Sequence, residues 1–332
     1  MLAEIDISSL RHMTDEAVTA RAAQQIDDAS SRFGFFYATG HGIPREAFDA
    51  LLTASERFFA LSETAKATIS MNRGGTAWRG WFPVEGELTS GLADRKEGLY
   101  LGEELGPDDP RVQAGLPLHG ANLWPEAVPE LRSAVEAWLG GAVAVAEAIM
   151  RGMALALGLD ADHFAAGLTR NPTLLFRIFH YPSQQPNSDE SFGVGEHSDY
   201  GLLTLLAQDD KGGLEVRTRD GWIDVPPRDD ALVINIGDMF ERLTRGRFRS
   251  APHRVVNRAG TSRYSFPLFF DPDFSAPVEP LPIATETRFP RETRWDGVDL
   301  HEPIGTYGDY LIGKVGKVFP DLAQRKLAGT GE

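Results

Sequence analysis

The sequence predicts a mainly β protein with flanking helices, and three observations carry that expectation. From residue 173 to about 270 the chain breaks into short apolar or alternating runs, at 174–181, 202–207, 214–216, 222–225, 232–236, 254–257 and 264–270. Turn signals such as Gly212-Gly213, Asp220-Gly221 and Pro226-Pro227 separate them, a spacing typical of an all-β sandwich or barrel. Before these runs, apolar residues recur every three or four positions, which is the helical period.

In chain order, residues 4–8 read as a short strand. Thr14 can cap a helix running to about Arg32, with Asp15 and Glu16 in the first turn where the helix dipole favours acids. Residues 33–38 follow as a strand. Pro44 is expected at the first position of a helix whose apolar face is Phe48, Leu51, Leu52, Ser55, Phe58 and Phe59. Residues 72–124 hold no period and are rich in Gly and Pro; Trp78, Trp81, Phe82 and Tyr100 argue for an ordered, functional excursion. A helix is expected from Pro129 to Leu157, striped by Leu131, Val135, Trp138, Ala142, Val145, Ile149 and Met153 and ended by Gly158. A short helix at 160–168 precedes the strands, and a last helix is expected at 304–319, before a frayed end at 329–332.

The expected organisation is one integrated domain. Residues 1–120 form a helix, strand and pocket-loop region, 121–170 a support helix, 171–290 the β core and 291–332 a C-terminal helical segment. A chain of 332 residues with 42% hydrophobic and 24% charged residues can bury a sizeable core. The formal charge of −15 argues against nucleic acid and anionic membranes as partners. With no cysteine, disulfides, zinc ribbons and thiol nucleophiles are excluded. The most apolar window, 137–150, contains Gly140, Gly141 and Glu147 and reads as a core helix. No signal peptide is visible, so a cytoplasmic monomer or homodimer acting on a small molecule is expected.

Chemistry centres on Gly195-Glu196-His197-Ser198-Asp199-Tyr200. With 8 histidines, a His-x-Asp pair arises by chance in roughly half of random arrangements, and a surface turn histidine is the plain alternative. At a strand edge, however, residues i and i+2 share a face, so His197 and Asp199 can present an imidazole and a carboxylate to one ion. His253, opening a β-branched run, is the best third ligand. Two histidines and one carboxylate leave open positions, the pattern of non-haem Fe(II) oxygenases. Arg263 and Ser265 form a second i, i+2 pair, suited to a carboxylate. An arginine among Phe266, Leu268 and Phe269 needs an anion, because an unpaired buried charge is very costly.

These motifs resemble a known family. They include Gly195-x-His197-x-Asp199 with 203–206, Gly213-Leu214-Glu215-Val216, Asn235-Ile236-Gly237-Asp238, His253-Arg254-Val255 and Arg263-x-Ser265, with Gly34-Phe35-Phe36-Tyr37 and His41-Gly42-Ile43-Pro44 before them. The set is similar to the isopenicillin N synthase-like branch of Fe(II)/2-oxoglutarate-dependent dioxygenases, over roughly residues 4–320. The resemblance implies a double-stranded β-helix (jelly-roll) core at 171–290. It implies that His197, Asp199 and His253 bind Fe(II), that Arg263 and Ser265 hold the distal carboxylate of 2-oxoglutarate, and that O₂ is consumed. Tyr181 would lie near the cosubstrate; the asparagine common two residues earlier in plant relatives is Phe179 here. Residues 80–91, 117–120 and 124–125 are similar to bacterial members including the ethylene-forming enzyme, in which a Glu and a Thr grip a guanidinium. Glu87 and Thr89 stand at those positions; Arg177 and Tyr200 match its pocket, with Arg177 expected close to the cosubstrate carboxylate as a cofactor-binding residue, and Lys317 is a rough counterpart of its C-terminal basic residue.

The expected reaction is hydroxylation of a small molecule, releasing succinate and CO₂. The alternatives are a 2-oxoglutarate-independent iron oxidase catalysing cyclisation or desaturation, an ethylene-forming reaction, and a non-catalytic jelly-roll binding protein. His41, His119, His163 and His301 read as structural or surface residues. Asp209-Asp210 and Asp229-Asp230 read as solvated turns, and Asp94-Arg95-Lys96-Glu97 as a surface charge cluster.

Overall fold

The computed structural model describes residues 1–89, 91–183, 192–256, 260–283, 294–299 and 302–318. Asn257, His301, Phe319 and the 329–332 end lie outside the described residues.

The N-terminal half supplies β1 (Ala3–Asp6), α1 (Ser8–His12), α2 (Glu16–Arg32), β2 (Phe35–Thr39), α3 (Arg45–Phe59) and α4 (Glu63–Lys66). It continues with β3 (Gly80–Phe82), β4 (Leu88–Thr89), β5 (Leu92–Ala93), β6 (Glu97–Gly102), α5 (Pro110–Gln113), α6 (Glu130–Ala156) and α7 (His163–Ala166). Then come β7 (Thr173–Tyr181), β8 (Phe192–His197), β9 (Leu203–Gln208), β10 (Leu214–Thr218), β11 (Gly221–Asp224) and β12 (Leu232–Ile236). The chain closes with α8 (Asp238–Leu243), β13 (His253–Val256), β14 (Arg263–Asp271) and α9 (Tyr307–Val318).

Eight strands form one sheet in the order β1-β2-β12-β9-β14-β7-β6-β3, and four form a second in the order β11-β10-β13-β8. The two-residue alternation of strands assigns side chains to layers. Phe36, Ala38, Ile234, Phe266, Leu268 and Phe270 join the helices in one core. Phe35, Tyr37, Tyr181 and Val233 point the other way, against Val194, Leu214, Val216 and Val255 of the small sheet. Arg177, Phe179, Tyr181, Arg263 and Ser265 fall on this inner phase and line the cavity between the sheets. α6 is long and apolar enough to cross a membrane, yet Leu131, Val135, Trp138, Ala142, Val145, Ile149 and Met153 are buried in the helical core.

Several boundaries differ from expectation. The cap of α2 is Asp15, whose carboxylate accepts from the Val18 N–H at 3.1 Å, one residue after Thr14. Pro44 is the cap of α3, just before its first turn. Residues 8–12 are a helical turn where the strand was extended to 8. Five strands were not located individually, β8 and, within the irregular stretch, β3, β4, β5 and β6. β8 contains two glycines, Gly193 and Gly195, which dilute its alternation. β6 lies within the irregular stretch and has no polar face to betray it, since all six of its residues are buried.

Candidate metal centre and cavity

β8 and β13 pair antiparallel with His197 directly opposite His253, which sets the two rings 4.2 Å apart between centroids. Asp199 follows two residues beyond the strand end. The three side chains offer ligand atoms that all lie within 4.8 Å of one another. Asp199 Oδ1 is 3.8 Å from His197 Nε2 and 3.6 Å from His253 Nε2.

The supporting contacts orient every one of these donors. His197 Nδ1 lies 2.8 Å from the Gly195 carbonyl and His253 Nδ1 3.1 Å from that of Ala251. Each carbonyl can only accept, so Nδ1 carries a proton, and Nε2 is the nitrogen left to face the centre as a metal ligand. Asp199 Oδ2 accepts from Thr204 Oγ1 at 2.5 Å and Asn235 Nδ2 at 2.6 Å. Burial alone would raise the Asp199 carboxyl, but the facing His253 and His197 rings and the Thr204 and Asn235 bonds hold it below the usual range. Burial, with His197 adjacent, lowers His253 and favours the neutral ring. Two neutral imidazoles and one carboxylate are a donor set that fits Fe(II).

Arg263 is 1% exposed. Its Nη2 donates to Gln208 Oε1 at 3.1 Å, while Nε and Nη1 have no hydrogen-bond partner among the described residues. Leaving two buried guanidinium donors unsatisfied costs free energy that an entering carboxylate would restore. Ser265 Oγ, two residues on, lies 3.4 Å from the Tyr181 hydroxyl, and the Arg263 guanidinium sits 4.7 Å from the centre of the Tyr181 ring. Arg263, Ser265 and Tyr181 therefore form one polar patch in the wall of a cavity of about 530 Å³ that also contains His197, Asp199 and His253.

The remaining expected site residues, Arg177, Glu87, Thr89 and Tyr200, line the same cavity. The Arg177 guanidinium lies 3.5 Å from the centre of the Tyr100 ring and donates to the Leu101 and Phe176 carbonyls. Glu87 is buried, accepts from the Tyr100 hydroxyl and pairs with Lys96 Nζ at 2.8 Å. Thr89 Oγ1 donates to Asp94 Oδ2 at 2.7 Å.

The charged run at 94–97 is corrected. Asp94, Lys96 and Glu97 are buried and only Arg95 is exposed. Alternation along β6 turns Lys96 into the cavity, against Glu87 and Asp94, and Glu97 outward to Lys66, Trp81 and His180. Burial would lower the Lys96 ammonium, but Glu87 and Asp94 outweigh it and raise it, so Lys96 is charged. Asp209 also departs from the expected solvated turn: it is buried and accepts from the Tyr264 N–H at 2.6 Å. Asp210, Asp229 and Asp230 are exposed.

Sequence reasoning missed Asn235 and Thr204 as supports of Asp199, although both lie in motifs already noted. It also missed Asp271, a cavity-wall residue of β14. Asp271 Oδ2 accepts from the Tyr307 hydroxyl at 2.5 Å, and Oδ1 from the Leu202 N–H at 3.1 Å. The approach is so close that a Cβ on Gly201 would meet Asp271 Oδ1 at 1.5 Å. Burial pushes the Asp271 carboxyl from 3.8 up to about 7, against the Tyr307 and Leu202 bonds. Across that window the unfolded chain has lost a proton that the folded chain keeps, so this group lowers stability as pH rises. Asp271→Asn should flatten that part of the profile. Thermal unfolding at about pH 5 and about pH 8 checks it, and an unchanged difference between the two would contradict it.

Residues 172–272 match the profile of the 2OG-Fe(II) oxygenase superfamily. Residues 3–127 match one described as the N-terminal region of the non-haem dioxygenase in morphine synthesis. A Dictyostelium discoideum protein named "Probable iron/ascorbate oxidoreductase" is 43% identical, with 97% of this chain and 96% of that protein covered. The chain belongs to the 2OG-Fe(II) oxygenase superfamily. A soybean homoarginine-6-hydroxylase is 34% identical over 96% of this oxygenase and 97% of the relative. Among solved structures, a full-length Neurospora crassa protein in complex with alpha-KG is similar at a TM-score of 0.78 and 25% identity, covering 95% and 96% of the two chains. A Caulobacter crescentus 2OG-Fe(II) oxygenase family protein scores 0.77 at 28% identity, with 95% and 98% covered. The jelly-roll core expected from the motifs is thus the fold of this oxygenase. It is an oxidoreductase that uses Fe(II), 2-oxoglutarate and O₂ to oxidise a small-molecule substrate.

Proposed function

We propose that this oxygenase hydroxylates a small molecule carrying a cationic nitrogen group, guanidino or amino, and a carboxylate. The observation that carries this reading is the buried Glu87 carboxylate in the cavity wall, paired with a Lys96 ammonium that Asp94 also engages. A buried carboxylate facing the cavity suits a cationic group of the substrate. Lys314 and Lys317 of α9 line the same cavity and suit a carboxylate. The soybean homoarginine-6-hydroxylase supports a guanidino substrate by likeness.

In this reading His197, Asp199 and His253 hold the iron. Arg263 and Ser265 hold the distal carboxylate of 2-oxoglutarate, with Tyr181 beside them and Arg177 in the adjoining wall. Bound iron supplies the centre at which O₂ is reduced as 2-oxoglutarate is oxidised, leaving succinate and CO₂. The chain's own work is orientation and exclusion of water. Asn235 and Thr204 keep Asp199 Oδ1 facing the two Nε2 atoms, and Tyr200 walls the substrate space between Asp199 and Lys314. We infer further that the chain sits in an isopenicillin N synthase-like branch with bacterial members, on the likeness of residues 80–91 to the ethylene-forming enzyme.

Succinate release is to be measured with arginine, homoarginine and lysine against the uncharged isostere citrulline. A preference for the cations is expected. Glu87→Gln should raise their KM by roughly 10- to 100-fold, the worth of one charged hydrogen bond. Equal turnover of citrulline, or an unchanged KM in the variant, would retire the cation reading. Product formed without 2-oxoglutarate would favour the oxidase alternative.

A further inference from the structure

The segment 294–299 contributes Trp295 and Asp296 to the cavity wall; the Asp299 carbonyl accepts from Arg242 Nη2 at 3.3 Å at its far end, and Arg294 fastens its near end. The Arg294 side chain is 10% exposed and engages all three of its nitrogens. Nη2 lies 2.7 Å from Asp238 Oδ1 and donates to Ser198 Oγ at 2.8 Å. Nη1 reaches Glu241 Oε2 at 3.2 Å and Nε reaches Asp296 Oδ1 at 2.7 Å. Ser198 lies between the candidate ligands His197 and Asp199.

Asp238 is the other half of the joint. Its backbone N–H donates to the Asp199 carbonyl at 2.7 Å, and the next N–H, of Met239, donates to Tyr200 O at 3.1 Å. Its carboxylate is 1% exposed as a side chain and also accepts from Ser250 Oγ at 2.8 Å. From α9, Tyr310 Oη lies 3.4 Å and Lys314 Nζ 3.8 Å from Asp238 Oδ2. Both wall elements, 294–299 and α9, therefore reach the buried Asp238 carboxylate that backs the ligand-bearing turn, and each also touches the turn itself, Arg294 at Ser198 and Lys314 at the Tyr200 ring.

We propose that Arg294 is a positioning residue that couples the cavity wall to the ligand turn 197–200, through Asp238 and Ser198. A planar guanidinium with fixed donor directions can register two walls at once, which a lone ammonium cannot. With the joint made, the wall segment and the ligand turn are held to the same buried groups, Asp238 and Ser198. With it broken, both loosen together and water reaches the site. The inference rests on the oxygenase reaction and is independent of the cation reading.

The test is hydrogen–deuterium exchange on the metal-free protein, wild type against Arg294→Gln. Amides of 197–201 and of 294–299 should both exchange faster, by about tenfold, while α6 is unchanged. The second readout is substrate-free formation of succinate from 2-oxoglutarate and O₂, which should rise about tenfold as the wall lifts. The visible band of the anaerobic Fe(II)–2-oxoglutarate complex should persist. Faster exchange at 294–299 with 197–201 unmoved would overturn the coupling, as would an unchanged succinate rate. Should Arg294→Gln also loosen α6, Ser198→Ala decides, since it removes only the hydroxyl acceptor. The same two readouts should then shift in the same direction, and no shift overturns the proposal.

Discussion

Asp199→Ala is expected to abolish iron-dependent turnover and to lower Fe(II) affinity by more than about 100-fold, since losing outer-shell partners alone costs 10- to 100-fold. The carboxylate is the only anionic donor of the constellation, and without it two neutral imidazoles face a divalent cation alone. A graded series separates ligand from support. Asn235→Ala and Thr204→Val each remove one of the bonds that aim Asp199, at 2.6 and 2.5 Å. Each should cost about 10- to 100-fold in iron affinity while leaving some activity. Iron content after anaerobic reconstitution, read with succinate release, checks the order. An Asp199→Ala protein that binds Fe(II) as tightly as the parent and still turns over would sink the assignment.

Arg263→Met is expected to weaken 2-oxoglutarate by on the order of 10²- to 10³-fold, the equivalent of breaking a buried charge pair from one side. The same change should leave the folded protein at least as stable, because it removes a buried charge whose Nε and Nη1 find no hydrogen-bond partner among the described residues. That pairing of opposite signs is the diagnostic. A structural arginine would lose stability when replaced; one kept for a ligand loses affinity instead. Arg263→Lys should recover little, since an ammonium lacks the fork that meets a carboxylate at two points. Anaerobic titration of the Fe(II) protein with 2-oxoglutarate and thermal unfolding of the metal-free protein measure the two arms. An unchanged Kd with lower stability would contradict the role.

The candidate site residues could be picked out because much of strand geometry is local. Arg263 and Ser265 are two apart within β14, and a period of two puts them on one face whatever the rest of the chain does; Asp199, two residues from His197, lies just past the end of β8, close enough in the chain to share its site. The long helix was legible for the same reason, from a stripe running from Leu131 to Met153. Lys96 was not. A run reading Asp-Arg-Lys-Glu looks solvated, and nothing within it says that β6 is packed between β3 and β7 with both faces covered. Burial turned Lys96 into the cavity wall and made the pairing of the buried charges obligatory.

The sequence by itself determined the inventory of this protein: most of the core strands, two imidazoles, one carboxylate and a guanidinium, with no cysteine chemistry. Those follow from period and residue type, which are properties of neighbours along the chain. Only the tertiary structure decided the partners. It set His197 opposite His253, left two donors of Arg263 open, turned Lys96 towards Glu87, and gathered Ser198, Asp238 and Arg294 at one joint. The physical reason is that a buried charge is defined by what lies across from it. In this fold those groups come from residues as far apart as 96 positions along the chain.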